Sequence, residues 1–192
     1  MLQAEKTERT HQEFLKAARF LFLEQGFDNT SIADIVERAG YSTGAFYRHY
    51  KTKSDILQEL WSDFVEQYIQ DSIAGAKNTK TLEEAIDYLI LRSEEYFSHP
   101  MFFCYYNASI TRVLNTGKEY IPNGAKNFTD MLYQLLLREY PNAEEKRLRT
   151  YASALHAVIN AYSSSEVLDQ DFYFDEKTSR EILISMASQA GY

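Results

Sequence analysis

Between Thr30 and Lys53 the chain reads TSIADIVERAGYSTGAFYRHYKTK, and this stretch leaves few folds open. Ser31 and Asp34 make a capping-box-like start, a hydroxyl and a carboxylate placed to serve the free amides of a first helical turn. Ile32, Ile35, Val36 and Ala39 then repeat at helical spacing, which predicts a short helix with one apolar face. Gly40 stands where helices commonly end in a left-handed residue. Ser42 can cap a second short helix, expected from Thr43 to about Tyr50. Helix, tight glycine turn, helix is the build of a helix-turn-helix.

The outward side of the second helix decides what such a unit is for. Phe46 and Tyr50 lie one helical turn apart and can anchor it on a core. Thr43, Gly44, Ala45, Tyr47, Arg48 and His49 are left on or near the outward side. Glycine inside a helix costs about 1 kcal/mol relative to alanine, so Gly44 calls for a reason. Close approach of another molecule to the backbone is one. Hydroxyls, an arginine and a histidine beside a helix N-terminus bind phosphates, and threonine or alanine can touch a thymine methyl. Lys51 and Lys53 continue the basic edge.

Phe27 to Ser31, Ile35 to Ser42 and Gly44 to Lys53, taken together, resemble the N-terminal domain of the TetR family of transcriptional regulators. The order of G-aromatic-x-x-T-S, A-G-x-S, G-x-apolar-Y-x-H-Y and a trailing lysine carries the likeness over some fifty residues. The resemblance implies an all-α homodimer that binds a double-stranded DNA operator and answers to a small-molecule effector. Carried onto this chain, it implies DNA contacts from Thr30, Ser31, Tyr41, Ser42, Thr43, Gly44, Ala45, Tyr47, Arg48, His49 and Lys53. Two departures stand out. Tyr41 fills a turn position usually aliphatic, where it could pack or reach a phosphate. Residues 1–60 also carry eight Lys/Arg against nine Asp/Glu, a net of −1, so no strong basic field steers this domain to DNA. The favourable charge must be local, from Arg48, Lys51 and Lys53 with Lys6 and Arg9, and a low salt slope is expected.

About nine helices are expected. The first, from about Thr7 to Gln25, carries the stripe Phe14, Ala17, Ala18, Leu21 and Phe22 and ends at Gly26. It buttresses the two short helices, and His11 is assigned to a solvated N-terminal arm, with an arm reaching along DNA as the second reading. The fourth, from about Lys53 to Ala74, buries Ile56, Leu57, Leu60, Trp61, Phe64, Val65 and Tyr68 and is expected to transmit motion. Gly75 to Lys80 reads as a linker. Thr81 with Glu84 caps the fifth helix, and Pro100 opens a sixth with the aromatic run Met101 to Tyr106. Asn115 to Lys118 and Ile121 to Gly124 read as turns. A seventh helix, about Ala125 to Tyr140, precedes Pro141. Asn142 with Glu145 is read as the cap of an eighth reaching about Leu168, and a ninth follows Asp175. This gives a helix-turn-helix DNA-binding domain at 1–53 and a helical regulatory, ligand-binding and dimerisation domain at 54–192. Small residues along the eighth helix allow close helix approach, either within one chain or, as the resemblance implies, between copies through the eighth and ninth helices. Two copies would also suit successive major grooves.

Composition enters as exclusion. Cys104 is the single cysteine, so neither an internal disulfide nor a cysteine metal cluster is expected. His11, His49, His99 and His156 show no metal-ligand spacing, and neither a metal nor another cofactor is called for. His99 reads as a surface or capping residue. His156 reads as a satisfied structural histidine, with a pocket or dimer hydrogen bond as the second reading. No nucleophile elbow, phosphate-cradling loop or dinucleotide fingerprint appears, and Ser163 to Ser165 lack triad partners, so an enzyme is not expected. No run approaches the roughly 20 apolar residues that span a bilayer. MLQAEKTERTHQE does not resemble a signal peptide. A cytoplasmic location without membrane contact is therefore expected.

With fifteen Tyr, twelve Phe and one Trp, a gap among the later helices would be lined by rings with a few polar tips. Trp61, Phe64, Tyr68, Tyr96, Phe103, Tyr106, Phe128 and Tyr133 are the candidate ligand-binding residues, each also suited to plain core. With Glu94 or Asp130 nearby, a flat lipophilic and even cationic molecule would suit, as would a neutral aromatic or acyl one. The expected function is a transcriptional repressor released from a palindromic operator by a small lipophilic ligand. The rival is a helical small-molecule-binding protein that no longer engages DNA.

Overall fold

The computed structural model describes residues 3–116, 124–168 and 175–192, and these form helices with no strand among them. They are α1 (Gln3–Gln25), α2 (Ile32–Ala39), α3 (Thr43–Phe46), α4 (Lys53–Lys77), α5 (Leu82–Ser98), α6 (Pro100–Thr116), α7 (Gly124–Glu139), α8 (Glu145–Leu168) and α9 (Glu176–Gln189). The turns read at 117–118 and 121–123, and the loop at 169–174, lie outside the described residues.

Two compact units result, Met1–Phe64 with Pro100–Tyr120, and Val65–His99 with Ile121–Tyr192. The division differs from a boundary at residue 53, because aromatic packing joins α6 to the first half of α4. Trp61 lies flat on Tyr105, ring centroids 4.4 Å apart, and 6.2 Å from Phe102.

In the first unit Phe14, Ala17, Ala18 and Phe22 of α1 are buried together with Ile35, Val36, Phe46, Tyr50, Ile56, Leu57 and Leu60. Phe14 meets Phe46 edge to face at 5.5 Å, the geometry that ring quadrupoles favour. α1 begins at Gln3, earlier than the stripe suggests, and takes in His11, which is half-buried and bonded to α4 rather than solvated on an arm.

The second unit gathers α5, α7, α8 and α9 around Leu89, Leu132, Leu136, Leu148, Leu155, Ile159 and Leu183. Arg180 of α9 clasps α5, its Nε 2.6 Å from Asp87 and one terminal nitrogen 2.6 Å from Glu83, a forked geometry only arginine offers. Arg147 donates to the carbonyls of Gln189 and Ala190, closing the end of α9 at 2.7 and 3.3 Å. His156 meets Thr129 at 2.7 Å, and burial lowers its pKa, which suits a satisfied structural histidine. His99 caps the end of α5 at the surface. Cys104, in the first unit, is half-buried, and burial pushes its thiol up to about 11.

Three local readings need correction. Gly75 to Lys77 belong to α4, so the linker begins only at Asn78. The glycine answers a packing need: a Cβ there would stand 2.0 Å from the Tyr88 hydroxyl, which donates to the Asp71 carbonyl. Thr81 does cap α5 through the Glu84 amide, but the Glu84 carboxylate accepts from the Lys80 amide, not from Thr81. Asn142 lies in a turn, and α8 opens on the Glu144 carbonyl, which takes the Leu148 amide.

Gly75→Ala should be about 1–2 kcal/mol less favourable in the wild-type chain than in a Tyr88→Ala background. Without the ring, only the helix-propensity gain of about 1 kcal/mol remains. A urea-melt double-mutant cycle measures the difference, and additive effects would contradict this packing.

Candidate DNA-reading site

The site is built by hydrogen bonds that the local sequence dictates. Ser31 Oγ accepts from the Asp34 amide at 3.1 Å, and Asp34 accepts from the Ser31 amide at 2.7 Å, so the capping box is complete. Those bonds, the Ser31 amide first and its hydroxyl second, hold the Asp34 carboxyl below its ordinary range. At the other end of α2, Gly40 adopts φ 73°, the left-handed value. Its amide meets the Glu37 carbonyl and the Tyr41 amide the Val36 carbonyl, at 3.1 and 3.0 Å, a Schellman closure.

Ser42 then caps α3, its Oγ 3.2 Å from the Ala45 amide. The α-helix is shorter than expected and ends at Phe46. Arg48 and His49 donate instead to the carbonyls of Ala45 and Phe46, three residues back, so the chain tightens before Tyr50. Phe46 and Tyr50 are buried as anchors, while Tyr47 is 56% exposed. Ser42, Thr43, Gly44 and Arg48 are also exposed, as is Ser31 at the capped start of α2. A Cβ on Gly44 would meet only the Ser42 hydroxyl, at 3.9 Å, so the protein itself does not require a glycine there.

The remaining site residues are placed differently. Thr30 is 1% exposed, its hydroxyl given to the Gly26 carbonyl at 2.8 Å, so its side chain supports the turn from inside instead of facing outward. Ala45 is 5% exposed and its methyl faces the core, one position before the anchor Phe46. Tyr41 packs its ring on Phe14 at 5.5 Å. His49 is half-buried, edge-on to Phe14 and stacked on His11. Burial first, then the neighbouring His11 and Arg48 charges, lower its pKa. Lys53 donates to the carbonyls of Phe27 and Thr30 at 2.5 and 2.6 Å and lies over the Phe27 ring. Burial lowers its pKa, against the pull of Asp28 and Asp34. Its ammonium ties α4 to the chain leading into α2, leaving Arg48 and Lys51 as the exposed cations of the turn region.

The eight aromatic candidates fall into both units. In the first, Trp61 is buried beside Phe64, Tyr106 stacks on Phe102, and Phe103 is 37% exposed. In the second, Tyr68 and Tyr96 sit 4.6 Å apart, with the Arg92 guanidinium 5.2 Å from the Tyr68 ring. Phe128 packs on His156, whereas Tyr133 carries Arg149 over its ring at 4.2 Å. Phe128 and Tyr133 point roughly 140° apart around α7, so the helix does not bring them to one face. Sequence reasoning also missed the Glu94 carboxylate accepting from the Tyr162 hydroxyl at 3.0 Å.

A capped, glycine-turned helix pair presenting tyrosine, threonine and arginine from a packed three-helix base is the build of a helix-turn-helix in an all-α protein. Residues 14–60 match the family of bacterial regulatory proteins, tetR family. AcrR, an HTH-type transcriptional regulator of Shigella flexneri, is 40% identical over 57 residues, which is 30% of this chain and 26% of AcrR. The chain spans about a quarter to a half of the length of the curated relatives it matches. A TetR-family regulator from Pectobacterium atrosepticum shares the fold over 98% of this chain and 93% of its own, with TM-score 0.65 and 16% identity. FadR from Bacillus subtilis, solved with stearoyl-CoA, shares it over 95% and 99%, with TM-score 0.57 and 18% identity. Residues 14–60 are thus similar to the N-terminal domain of the tetR family, and the helical fold is shared with solved TetR-family regulators. The named relatives are transcriptional regulators. Among the described residues no helix is long and apolar enough to cross a membrane.

Replacing Ser42 by Ala removes the one side-chain cap of a four-residue helix and should cost about 1 kcal/mol. Lys53→Ala should cost more, roughly 1–3 kcal/mol, because two partly buried carbonyls lose their donor. Thermal melts of the two variants give the order.

Proposed function

We propose that the chain is a ligand-responsive repressor that holds a palindromic duplex operator as a homodimer and releases it when a small lipophilic molecule binds. The observation that carries this is the outer face of α3, where Ser42, Thr43, Gly44, Tyr47 and Arg48 stand exposed on a base that packing and caps make rigid. Tyrosine and serine hydroxyls and arginine suit phosphate oxygens, and a side-chain-free Gly44 lets a strand of the duplex approach the helix backbone. Tyr41, His49, Ser31 and Lys51 lie at the edge of this face. Thr30, Ala45 and Lys53 contribute by holding the turn, with their backbone or remaining donor groups as the route to DNA.

DNA binding is assigned to residues 1–53 and regulation to residues 54–192, with α4 starting at their boundary. Homodimer formation is assigned to α8 and α9, where Ala157 is exposed and Ile182 is 44% exposed on surfaces left over from the unit's own core. Effector binding is assigned to the aromatic candidates above, among which Tyr68 and Tyr96 with Arg92 join a ring surface to polar tips. The stearoyl-CoA bound by FadR supports an acyl or otherwise lipophilic effector class. Such a ligand lowers operator affinity by as much as it prefers the non-binding conformer. The net charge of −1 over residues 1–60 favours one rival, a small-molecule-binding protein that does not engage DNA.

Selection from a random duplex pool decides between them, since the rival enriches nothing. With an enriched duplex in hand, Tyr47→Ala and Arg48→Ala should each weaken binding by about 1–3 kcal/mol while leaving the melting temperature unchanged. Gly44→Ala should bind more weakly although it is as stable or more stable, by up to about 1 kcal/mol, because its methyl meets only the Ser42 hydroxyl, at an ordinary contact distance of 3.9 Å. Gel shifts paired with thermal melts read both quantities, and a Gly44→Ala protein that binds like the parent removes the close-approach role.

A further inference from the structure

The inner side of the DNA-reading turn rests on a pair of imidazoles. His49 faces His11 of α1, ring centroids 5.7 Å apart and planes within 15°. His11 also stacks on Tyr50 at 5.6 Å, and its Nε2 lies 2.8 Å from a Glu59 carboxylate oxygen on α4. Glu8, one turn earlier on α1, stands 3.9 Å from its other ring nitrogen. The Tyr50 hydroxyl approaches Glu59 too but completes no hydrogen bond. Burial, then that carboxylate, push its phenol far above the ordinary range. The formed bond from Glu59 is the one to His11. Three separate elements of the first unit therefore meet through one ring: α1, the turn after α3, and α4.

We propose that His11 and Glu59 are positioning residues for the DNA-reading turn, and that their hold on it depends on protonation. The proposal rests on the DNA-binding reading above. With one of the two facing rings neutral, the stack is compatible with either partner carrying a charge. A second proton sets two cations face to face. The groups around His49 are His11 and Glu8 from α1, Arg48 from its own turn and Glu59 from α4. Glu59 is already engaged by His11, and Arg48 adds to the repulsion. Protonated His49 must therefore leave the stack, and the segment bearing Tyr47 and Arg48 on its outer side loses its inner support.

The sign follows from His49 being a base held towards its neutral form, by burial first. The support is complete above the ordinary histidine value of 6.5 and is lost as pH falls below it. This runs against the general trend. Acidification makes a chain of net charge −8 less negative, which by itself strengthens binding to phosphates. Weaker binding in acid is therefore the signature.

The test uses the full chain and a duplex selected from a random pool at about pH 7.5, with affinity followed by fluorescence anisotropy down to about pH 5.5 at constant ionic strength. Wild-type protein should lose about tenfold or more in affinity over that interval, whereas His11→Gln and His49→Gln, which cannot form the doubly charged pair, should lose less than about threefold or gain. At the upper pH, Glu59→Ala should weaken binding and Glu59→Gln, which keeps an acceptor for His11, should restore it. Parallel pH profiles for wild type and His11→Gln would overturn the proposal, as would wild-type binding that tightens in acid. Circular dichroism at the lower pH separates loosening from unfolding. A loss of helical signal equal in wild type and His11→Gln would assign the effect to unfolding, including that driven by His156 in the other unit, and would sink the idea. If no duplex is enriched at the upper pH, the DNA-binding reading itself fails and takes this proposal with it; an enriched duplex with parallel profiles overturns the proposal alone.

Discussion

The contact between Phe14 and Phe46 is what the proposed DNA-reading face depends on. A helix of four residues has far too few internal hydrogen bonds to repay its own nucleation. α3 persists because Phe46 is wholly buried edge-on against Phe14, with Tyr50 buried beside it. Those two anchors fix the rotation of the segment about its own axis. Once they point inward, Tyr47, Arg48 and Thr43 have no choice but to point outward. The Ser42 cap and the left-handed Gly40 set where the segment starts.

Charge is used sparingly in this unit, and some of it is engaged by the protein's own groups. Lys53, which by its place in the chain extends a basic edge, places its ammonium on two backbone carbonyls and over an aromatic ring. Asp34 is consumed by the Ser31 cap, and Glu59 by His11. A face that presents hydroxyls and a few cations on a unit near neutrality must rely on geometric fit more than on a long-range field. For the operator binding proposed above, that arrangement favours discrimination among sequences over coating DNA.

The second unit shows a different economy. Its core is mainly aliphatic, with Phe128, Tyr133 and Tyr162 among the buried residues, and polar groups tie its helices together: Arg180 across α5 and α9, Arg147 on the end of α9, Thr129 with His156 between α7 and α8. Gly75, embedded in α4, makes room for Tyr88 of α5. None of these ties follows from helical periodicity, since each joins residues far apart along the chain.

Local sequence determined the elements themselves: the capping box at Ser31, the Gly40 turn, the Ser42 cap, the Phe46 and Tyr50 anchors and the succession of helices, because caps and apolar periodicity are short-range and act within one or two turns. It also made the outward placement of Tyr47 and Arg48 legible. What it could not reveal was any choice between equivalent local uses of a residue. Gly75 reads as a breaker until Tyr88 is seen against it, Lys53 as the open end of a basic edge until two carbonyls meet it, and Ala45 as outward-facing until the core closes over it. His11 continues the stripe of Phe14 and Ala18 one turn upstream, a periodic signal that could have been followed, but its partner Glu59 lies 48 positions away. Only the tertiary structure decides such pairings, because a side chain's role is settled by which distant atoms compete for it, and that competition does not exist until the helices are packed.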